Sequence, residues 1–206
     1  MTTSTPIQHS APHVSAHGQA DRLLLHIARQ AIAMRLAGLP YVPPAVELSP
    51  KPHGVFITLW DHEHALRGCV GRIGPLSSLA AMVAECAQSA ALHDDRFAPV
   101  SADELPDLDI ELSLIEPPQP VSDLGALDPA IYGVLVQQNG RSGVLLPAIE
   151  GVETPEDQVA IACRKGFINP MQRFDIARFR VRTLGEGSCG ALPHDTKLGA
   201  RGPLRT

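Results

Sequence analysis

The segment LRGCVG, residues 66–71, combines residue types that could carry thiol chemistry. If it forms a β-strand, Arg67 and Cys69 lie on the same face, about 7 Å apart. A guanidinium beside a thiol favours the thiolate, which is the nucleophilic and metal-binding form. Gly68 and Gly71 would then let a substrate or the backbone of a partner approach the sulfur. The alternative is that Cys69 is a small buried hydrophobe and that the glycines serve a β-bulge.

Two further arginines could bind an anionic group. Arg96 follows Asp94 in the stretch DDRF, and its planar guanidinium suits the bidentate recognition of carboxylate or phosphate. The structural alternative, which the residues alone favour, is an Arg96–Asp94 pair that pins a loop. Both roles hold together if this loop borders Cys69. Arg141 in the stretch GRSG has the same two interpretations with less weight, since arginines at turns are usually solvated.

Two histidines raise the question of a metal. His62 and His64 have the i, i+2 spacing of a strand and lie beside Asp61, and two imidazoles with a carboxylate can hold a transition metal. The sequence offers no third histidine at a helical spacing, and the tip of a hairpin is naturally polar. We therefore expect no metal at this position.

The stretch RFRVRT, residues 178–183, places Arg178, Arg180 and Arg182 in alternation with apolar residues. Such a basic row could contact phosphate. The simpler prediction is the solvent side of one strand, paired across a sheet with Asp109 and Glu111. No aromatic residue for stacking bases lies between the arginines, so the pattern does not favour nucleic acid.

The composition limits the classes of function. The 206 residues carry a net charge of −5 and are 44% hydrophobic, which is typical of a globular protein without a general attraction to nucleic acid or anionic membranes. The N-terminus lacks the pattern of a secretory signal, and no run of about 18 apolar residues predicts a membrane span. The four scattered cysteines indicate reduced thiols in a cytoplasmic protein. No nucleotide-binding or cluster-binding motif is present, so no cofactor is expected.

The predicted secondary structure that positions these residues is typical of an α+β domain. Hydrophobic periodicity, helix caps and the turn dipeptide Asn139-Gly140 predict helices interrupting antiparallel hairpins, with Cys86 and Cys163 in the core. The predicted helices cover about 21–37, 78–92 and 155–165, and the predicted strands cover 55–60, 65–73, 108–115, 132–147 (a hairpin) and 178–183. We expect a disordered segment over 1–18, a domain over 19–183 and a flexible tail over 184–206 that carries Cys189.

Six stretches of the chain carry a resemblance in their order and spacing: GVFITL, LRGCVG, ALHDDRFAPVSADEL, LDIELSLIEPP, GRSGVLLP and CRKGF. Together they resemble the AMMECR1 family. Tyr132 departs from the family pattern, since many members have His before the glycine. The chain is most similar to the branch called AmmeMemoRadiSam system protein A. The resemblance implies two lobes of mostly antiparallel sheet packed with about three helices. It also implies two partners, a Memo-like protein that resembles extradiol dioxygenases and a radical SAM enzyme.

Two functions from different classes remain open at this point. In an enzyme or enzyme subunit, Cys69 would react with or bind a small anionic substrate, Arg67 would lower the pKa of the thiol and Arg96 would orient the anion. Gly68, Gly71, Asp94 and Arg141 would then be substrate-binding candidates. In a non-catalytic adaptor, the LRGCVG ridge would be the contact surface for the partners. A nucleic-acid-associated regulator is a weaker third hypothesis. A concave pocket at LRGCVG favours the enzyme, and a flat surface favours the adaptor.

Overall fold

A computed structural model describes residues 16–75 and 77–186 of the chain. Within these residues, three α-helices and eight β-strands confirm the predicted α+β class. The helices are α1 (Ala16–Leu36), α2 (Leu79–Leu92) and α3 (Pro155–Lys165). The strands are β1 (Gly54–Trp60), β2 (Leu66–Ile73), β3 (Asp109–Ile115), β4 (Gln119–Pro120), β5 (Gly133–Gln138), β6 (Arg141–Leu145), β7 (Asp175–Phe179) and β8 (Val181–Gly185).

The described elements extend slightly beyond the predicted domain limits of 19 and 183, since α1 begins at Ala16 and β8 ends at Gly185. Most of the two segments predicted to be disordered, including Cys189, lies outside the described residues. Among the described helices, none has the length and apolar character that crossing a membrane requires.

The strands form two four-stranded antiparallel sheets, in the orders β2-β1-β3-β8 and β4-β7-β5-β6. Each sheet contains a hairpin, then a helix, then a strand that pairs with the first strand of the hairpin. We call the first sheet with α1 and α2 the first lobe, and the second sheet with α3 the second lobe. After its third strand, the chain crosses to the other sheet and supplies that sheet's fourth strand. The fold thus repeats one unit of strand-strand-helix-strand, although the sequence shows no internal repeat.

The first lobe is built on alternation in β1 and β3. Val55, Ile57 and Leu59 are fully buried on the side of the sheet that α1 and α2 cover, in one core with Leu112 and the α2 residue Val83. Ser78 begins α2 because its hydroxyl accepts the backbone N–H of Ala81, as expected for an N-cap. Cys86 is buried in this core, which confirms its prediction.

The second lobe packs α3 against β5 and β6. Thr154 caps α3 by accepting the N–H of Asp157, and Pro155 occupies the first helical position. Cys163 is buried, as predicted. A third apolar cluster around Ile115, Leu135 and Phe179 joins the two lobes.

The prediction of one strand over 178–183 is wrong. The chain leaves the second sheet after Phe179 and enters the first sheet at Val181, so Arg180 lies between two strands. The three arginines therefore do not form a row facing Asp109 and Glu111. Arg182 pairs with Asp21 of α1 at 2.7 Å, and Arg178 and Arg180 stack on the ring of Tyr132 at 4.4 and 4.8 Å.

Candidate functional site

The LRGCVG segment forms β2, the edge strand of the first sheet. Gly68 lies opposite Leu59 and Leu66 lies opposite Trp60, so Arg67 is the extra residue of a β-bulge. The bulge breaks the simple alternation that would place Arg67 and Cys69 side by side.

The two glycines of the segment make room for other parts of this chain. A Cβ atom on Gly68 would lie 2.2 Å from the carbonyl oxygen of Ala90, near the end of α2. A Cβ atom on Gly71 would lie 2.3 Å from the ring of Phe56, which covers this glycine from the neighbouring strand. The space beside both glycines is therefore filled by other residues of this chain, Ala90 and Phe56, whereas the sequence led us to expect room for a substrate.

Asp94 and Arg96 form hydrogen bonds with the backbone N–H and C=O groups of Cys69, which lie on the free edge of β2. The N–H of Cys69 donates to Asp94 Oδ2 at 2.8 Å, and Arg96 Nη2 donates to the carbonyl oxygen of Cys69 at 3.4 Å. Arg96 also donates from Nε and Nη2 to the two Asp94 oxygens, at 2.9 and 2.7 Å. The hydrogen bonds from Arg96 lower the pKa of Asp94 to about 2, with the Cys69 N–H contributing. The loop after α2 thus closes the edge of β2, which would otherwise be open to pairing.

The Cys69 thiol is half-buried among polar groups. Its Sγ lies 3.3 Å from Oγ1 of Thr58, which is buried on β1 directly opposite. Burial raises the pKa of Cys69, and the hydrogen bond from Thr58 and the charge of Arg96 only partly offset this. The thiol therefore stays protonated at neutral pH.

Arg67 is bound to a carboxylate, an arrangement that the sequence did not suggest and that does not support its predicted effect on the thiol. Its guanidinium forms a two-pronged ion pair with Glu104, at 2.5 Å from Nε and 3.1 Å from Nη2. The side chains of Arg67 and Glu104 are only 17% and 33% exposed, and the ring of Phe97 lies 6.0 Å from the guanidinium. Its charge is thus neutralised by a partner 37 residues away in sequence, and Arg96 is the cation that acts on the sulfur.

Sequence reasoning missed the residues that share with Cys69 the side of the sheet opposite the helices. Thr58 pairs with Cys69 on one side and with Glu111 of β3 on the other, and burial raises the pKa of Glu111 against an opposing hydrogen bond from Trp60. We call Cys69, Thr58, Glu111 and Trp60 the thiol face. The alternation in β1 and β3 already placed these polar side chains opposite the core. Only the strand register shows that Thr58 lies opposite Cys69 and that Glu111 lies opposite Thr58 on the next strand.

Arg141 lies in the other lobe, away from the thiol face. Its Nη1 donates to the carbonyl oxygen of Phe167 at 2.8 Å. Arg141 lines two neighbouring clefts of about 420 and 290 Å³ at the β5–β6 hairpin, and neither cleft includes a residue of the thiol face.

The two histidines lie in the turn between β1 and β2. The Asp61 carboxylate beside them accepts the backbone N–H groups of Glu63 and Ala65, so it serves the turn. Within residues 16–75 and 77–186, no three His, Cys, Asp or Glu side chains are grouped so that they could hold a metal ion.

Most of each lobe of this α+β fold lies within the part of the chain that matches known proteins. The family model described as AMMECR1 matches residues 25–184, so the chain belongs to the AMMECR1 family. A protein from Thermotoga maritima is 41% identical over 141 residues, which is 65% of this chain and 81% of that protein. A protein from Methanothermobacter thermautotrophicus is 34% identical and covers 80% of this chain and 93% of its own length.

A solved structure has the same fold. The uncharacterized protein PH0010 from Pyrococcus horikoshii is 27% identical, with a TM-score of 0.68. The match covers 82% of this chain and 92% of that structure. The likeness extends over both lobes, since it spans most of each chain.

Proposed function

We propose that this AMMECR1-family protein is a component of a system with a Memo-like protein and a radical SAM enzyme, and that it docks a partner through its thiol face. The assignment to the system rests on the resemblance of its motifs to the AmmeMemoRadiSam system protein A branch. A role in docking, without chemistry at Cys69, rests on the surroundings of the sulfur.

The observation that carries the proposal is how the groups around Cys69 are paired: the neighbouring cation Arg67 is bound to Glu104, and the sulfur contacts the buried hydroxyl of Thr58. A thiol that acts as a nucleophile needs a lowered pKa, usually from an unpaired cation or a helix N-terminus. Here burial raises the pKa of Cys69, and Glu104 neutralises Arg67. Both clefts at Arg141 lie in the second lobe. An edge strand whose neighbouring cation is already paired, and a thiol whose pKa is raised, support contact with a protein better than covalent catalysis.

The residues around Cys69 suit an interface. Tryptophan and arginine are enriched where proteins bind one another, because they combine large contact areas with hydrogen bonding. Trp60 is partly exposed on the thiol face, and the Arg96 side chain, which bonds the carbonyl oxygen of Cys69, is 55% exposed. The backbone of Cys69 is held by Asp94 and Arg96. A partner would therefore meet a preorganised surface.

The test uses the full chain with its two proposed partners, purified separately. In the docking account, Cys69→Ser leaves both complex formation and the activity of the system unchanged, because the hydroxyl keeps the size and polarity of the thiol. Cys69→Arg places a long cation on the thiol face and should weaken the complex about tenfold or more. Arg72→Gln is the control, since Arg72 lies on the opposite face of the same strand and its ion pair with Glu85 is exposed and long, at 3.5 Å.

The contradicting results are distinct. If Cys69→Ser abolishes the activity of the system while the complex stays intact, the thiol performs chemistry. If the full chain binds neither partner, the assignment to the system fails. Circular dichroism of each variant establishes that it is folded.

A reactive thiol is the second candidate, because Cys69 is only partly buried and its Sγ contacts the Thr58 hydroxyl. The charge of Arg96 favours the thiolate, although less than burial opposes it. A cation placed beside Glu111, such as a basic side chain of a partner, would offset its negative charge and shift this balance towards the thiolate. Mass spectrometry of the Cys69 peptide, after isolation of the chain with its partners, would detect a covalent adduct. Absence of any adduct under turnover would contradict this candidate.

A further inference from the structure

The larger of the two clefts at Arg141 is lined by cations and an aromatic ring. We call it the basic cleft and define it by Arg141, Ser142, Lys165, Gly166 and Phe167. Its volume is about 420 Å³, and two of its five lining residues are cationic while none is acidic. The whole chain has a net charge of −5, so this local excess of positive charge runs against the overall composition.

The loop beside the basic cleft exposes large apolar side chains. Phe167 is 81% exposed and Met171 is 90% exposed, and they lie four positions apart after α3. Water contact with side chains of this size is unfavourable. Methionine and aromatic residues are, however, enriched at the centre of protein interfaces.

This loop is held in place by the sheet. The Gln138 side chain donates to the carbonyl oxygens of Asn169 and Arg173, at 3.1 and 3.2 Å, and accepts the N–H of Asn169 at 3.1 Å. Arg141 holds the carbonyl oxygen of Phe167. Phe167 itself has a φ of 52°, a conformation that costs free energy for a bulky residue and persists only where the surroundings enforce it. The exposed ring is therefore presented on a fixed backbone.

We propose that the basic cleft, with Phe167 and Met171, binds an acidic segment of a partner protein that carries an apolar side chain among its carboxylates. The carboxylates would pair with Lys165 and Arg141, and the apolar side chain would cover Phe167 and Met171. The fixed loop lowers the ordering cost of binding. This surface lies in the second lobe and does not depend on the thiol face, so it goes beyond the proposed function. Together the two surfaces would let one chain contact two partners.

A protein segment suits the basic cleft better than a small anion. The cleft is open to solvent, whereas sites for small molecules enclose most of the ligand. Inorganic phosphate would leave Phe167 and Met171 uncovered. A nucleotide could stack on Phe167, and it is the alternative that the experiment must separate.

The experiment measures binding of the full chain to an array of short peptides in which the number of Asp or Glu residues and the number of Leu or Phe residues vary independently. The proposal predicts that binding rises with both numbers and that lysine versions of the same peptides do not bind. Lys165→Gln and Phe167→Ser should each weaken binding about tenfold. Arg141 is left unchanged in this test, because it also holds the loop.

Two matched controls separate the cleft from general effects. Arg164→Gln removes one charge from the same last turn of α3 without altering the cleft lining, and Val42→Ser removes an apolar side chain that is 88% exposed elsewhere. Both should bind like the unaltered chain. Binding without preference for acidic peptides, or equal loss in a control and a cleft variant, overturns the proposal. If ADP binds saturably and no acidic peptide binds, the proposal is also overturned and the cleft is assigned to a nucleotide.

Discussion

Replacing Asp94 by Asn removes the charge that closes the edge of β2 while keeping the size of the side chain. The carboxylate accepts four hydrogen bonds, one from the N–H of Cys69 and three from Arg96. An amide offers one acceptor oxygen in place of two and turns an NH₂ group towards one of these donors. Asp94→Asn should therefore loosen the loop from the strand.

The pKa of Asp94 sets the size of the effect. Folding lowers this pKa from 3.8 to about 2, which corresponds to about 2 kcal/mol of stabilisation at neutral pH. The Asp94 side chain is 7% exposed and Arg96 is 55% exposed, and solvent screening at Arg96 lowers the expected loss to about 1–2 kcal/mol. Because the folded pKa is the lower one, the stabilisation is complete above pH 3.8 and is lost as the pH falls through about 2.

Urea unfolding followed by tryptophan fluorescence measures this effect in the first lobe, since Trp60 is the only tryptophan and lies on β1. The difference in the free energy of unfolding between the unaltered chain and Asp94→Asn should be full at pH 7 and roughly halved at pH 3. Asp95→Asn, at the exposed neighbouring position, is the control and should change little. A difference that is the same at both pH values would refute the electrostatic reasoning, and one no larger than that of the control would refute the role of Asp94.

Three more outcomes follow from the packing around β2 and β6. Gly68→Ala should lower the free energy of unfolding by about 1–3 kcal/mol, because its Cβ would lie 2.2 Å from the Ala90 oxygen and α2 would have to shift; a thermal melt unchanged from the unaltered chain would contradict this. Gly143→Ala should destabilise the second lobe in the same way, since its Cβ would lie 1.9 Å from the Ala162 oxygen. Hydrogen exchange would detect this as a loss of protection confined to α3 and β6. Cys86 should resist alkylation until the chain unfolds, because it is 2% exposed and burial raises its pKa to about 11; modification at native conditions, read by peptide mass, would be inconsistent with this core.

The sequence was sufficient where local chemistry decides the structure. Asn139 and Gly140 have φ values of 48° and 78°, as the predicted hairpin turn requires, and Thr154 caps α3 as expected. Alternation in β3 predicted a strand with one buried side. These features depend on a few adjacent residues, so their patterns are legible without tertiary information.

The candidate site depended on register and on distant partners, which the sequence does not display. The bulge at Arg67 is visible only in the pairing of β1 with β2, and Glu104, which neutralises Arg67, comes from a loop beyond α2. The change of sheet at Arg180 follows from packing between the lobes. The Arg96–Asp94 pair was expected from adjacency, while its contact with the backbone of Cys69 was not.

The most direct measurement of the central claim is the rate of alkylation of Cys69 in the native chain as a function of pH, with the Cys69, Cys86 and Cys163 peptides resolved by mass. A docking surface with a protonated thiol predicts that the Cys69 rate rises with a midpoint above the ordinary thiol pKa of 9.0. A midpoint well below that value, in the range where most enzymes work, would contradict the account and restore Cys69 as a nucleophile.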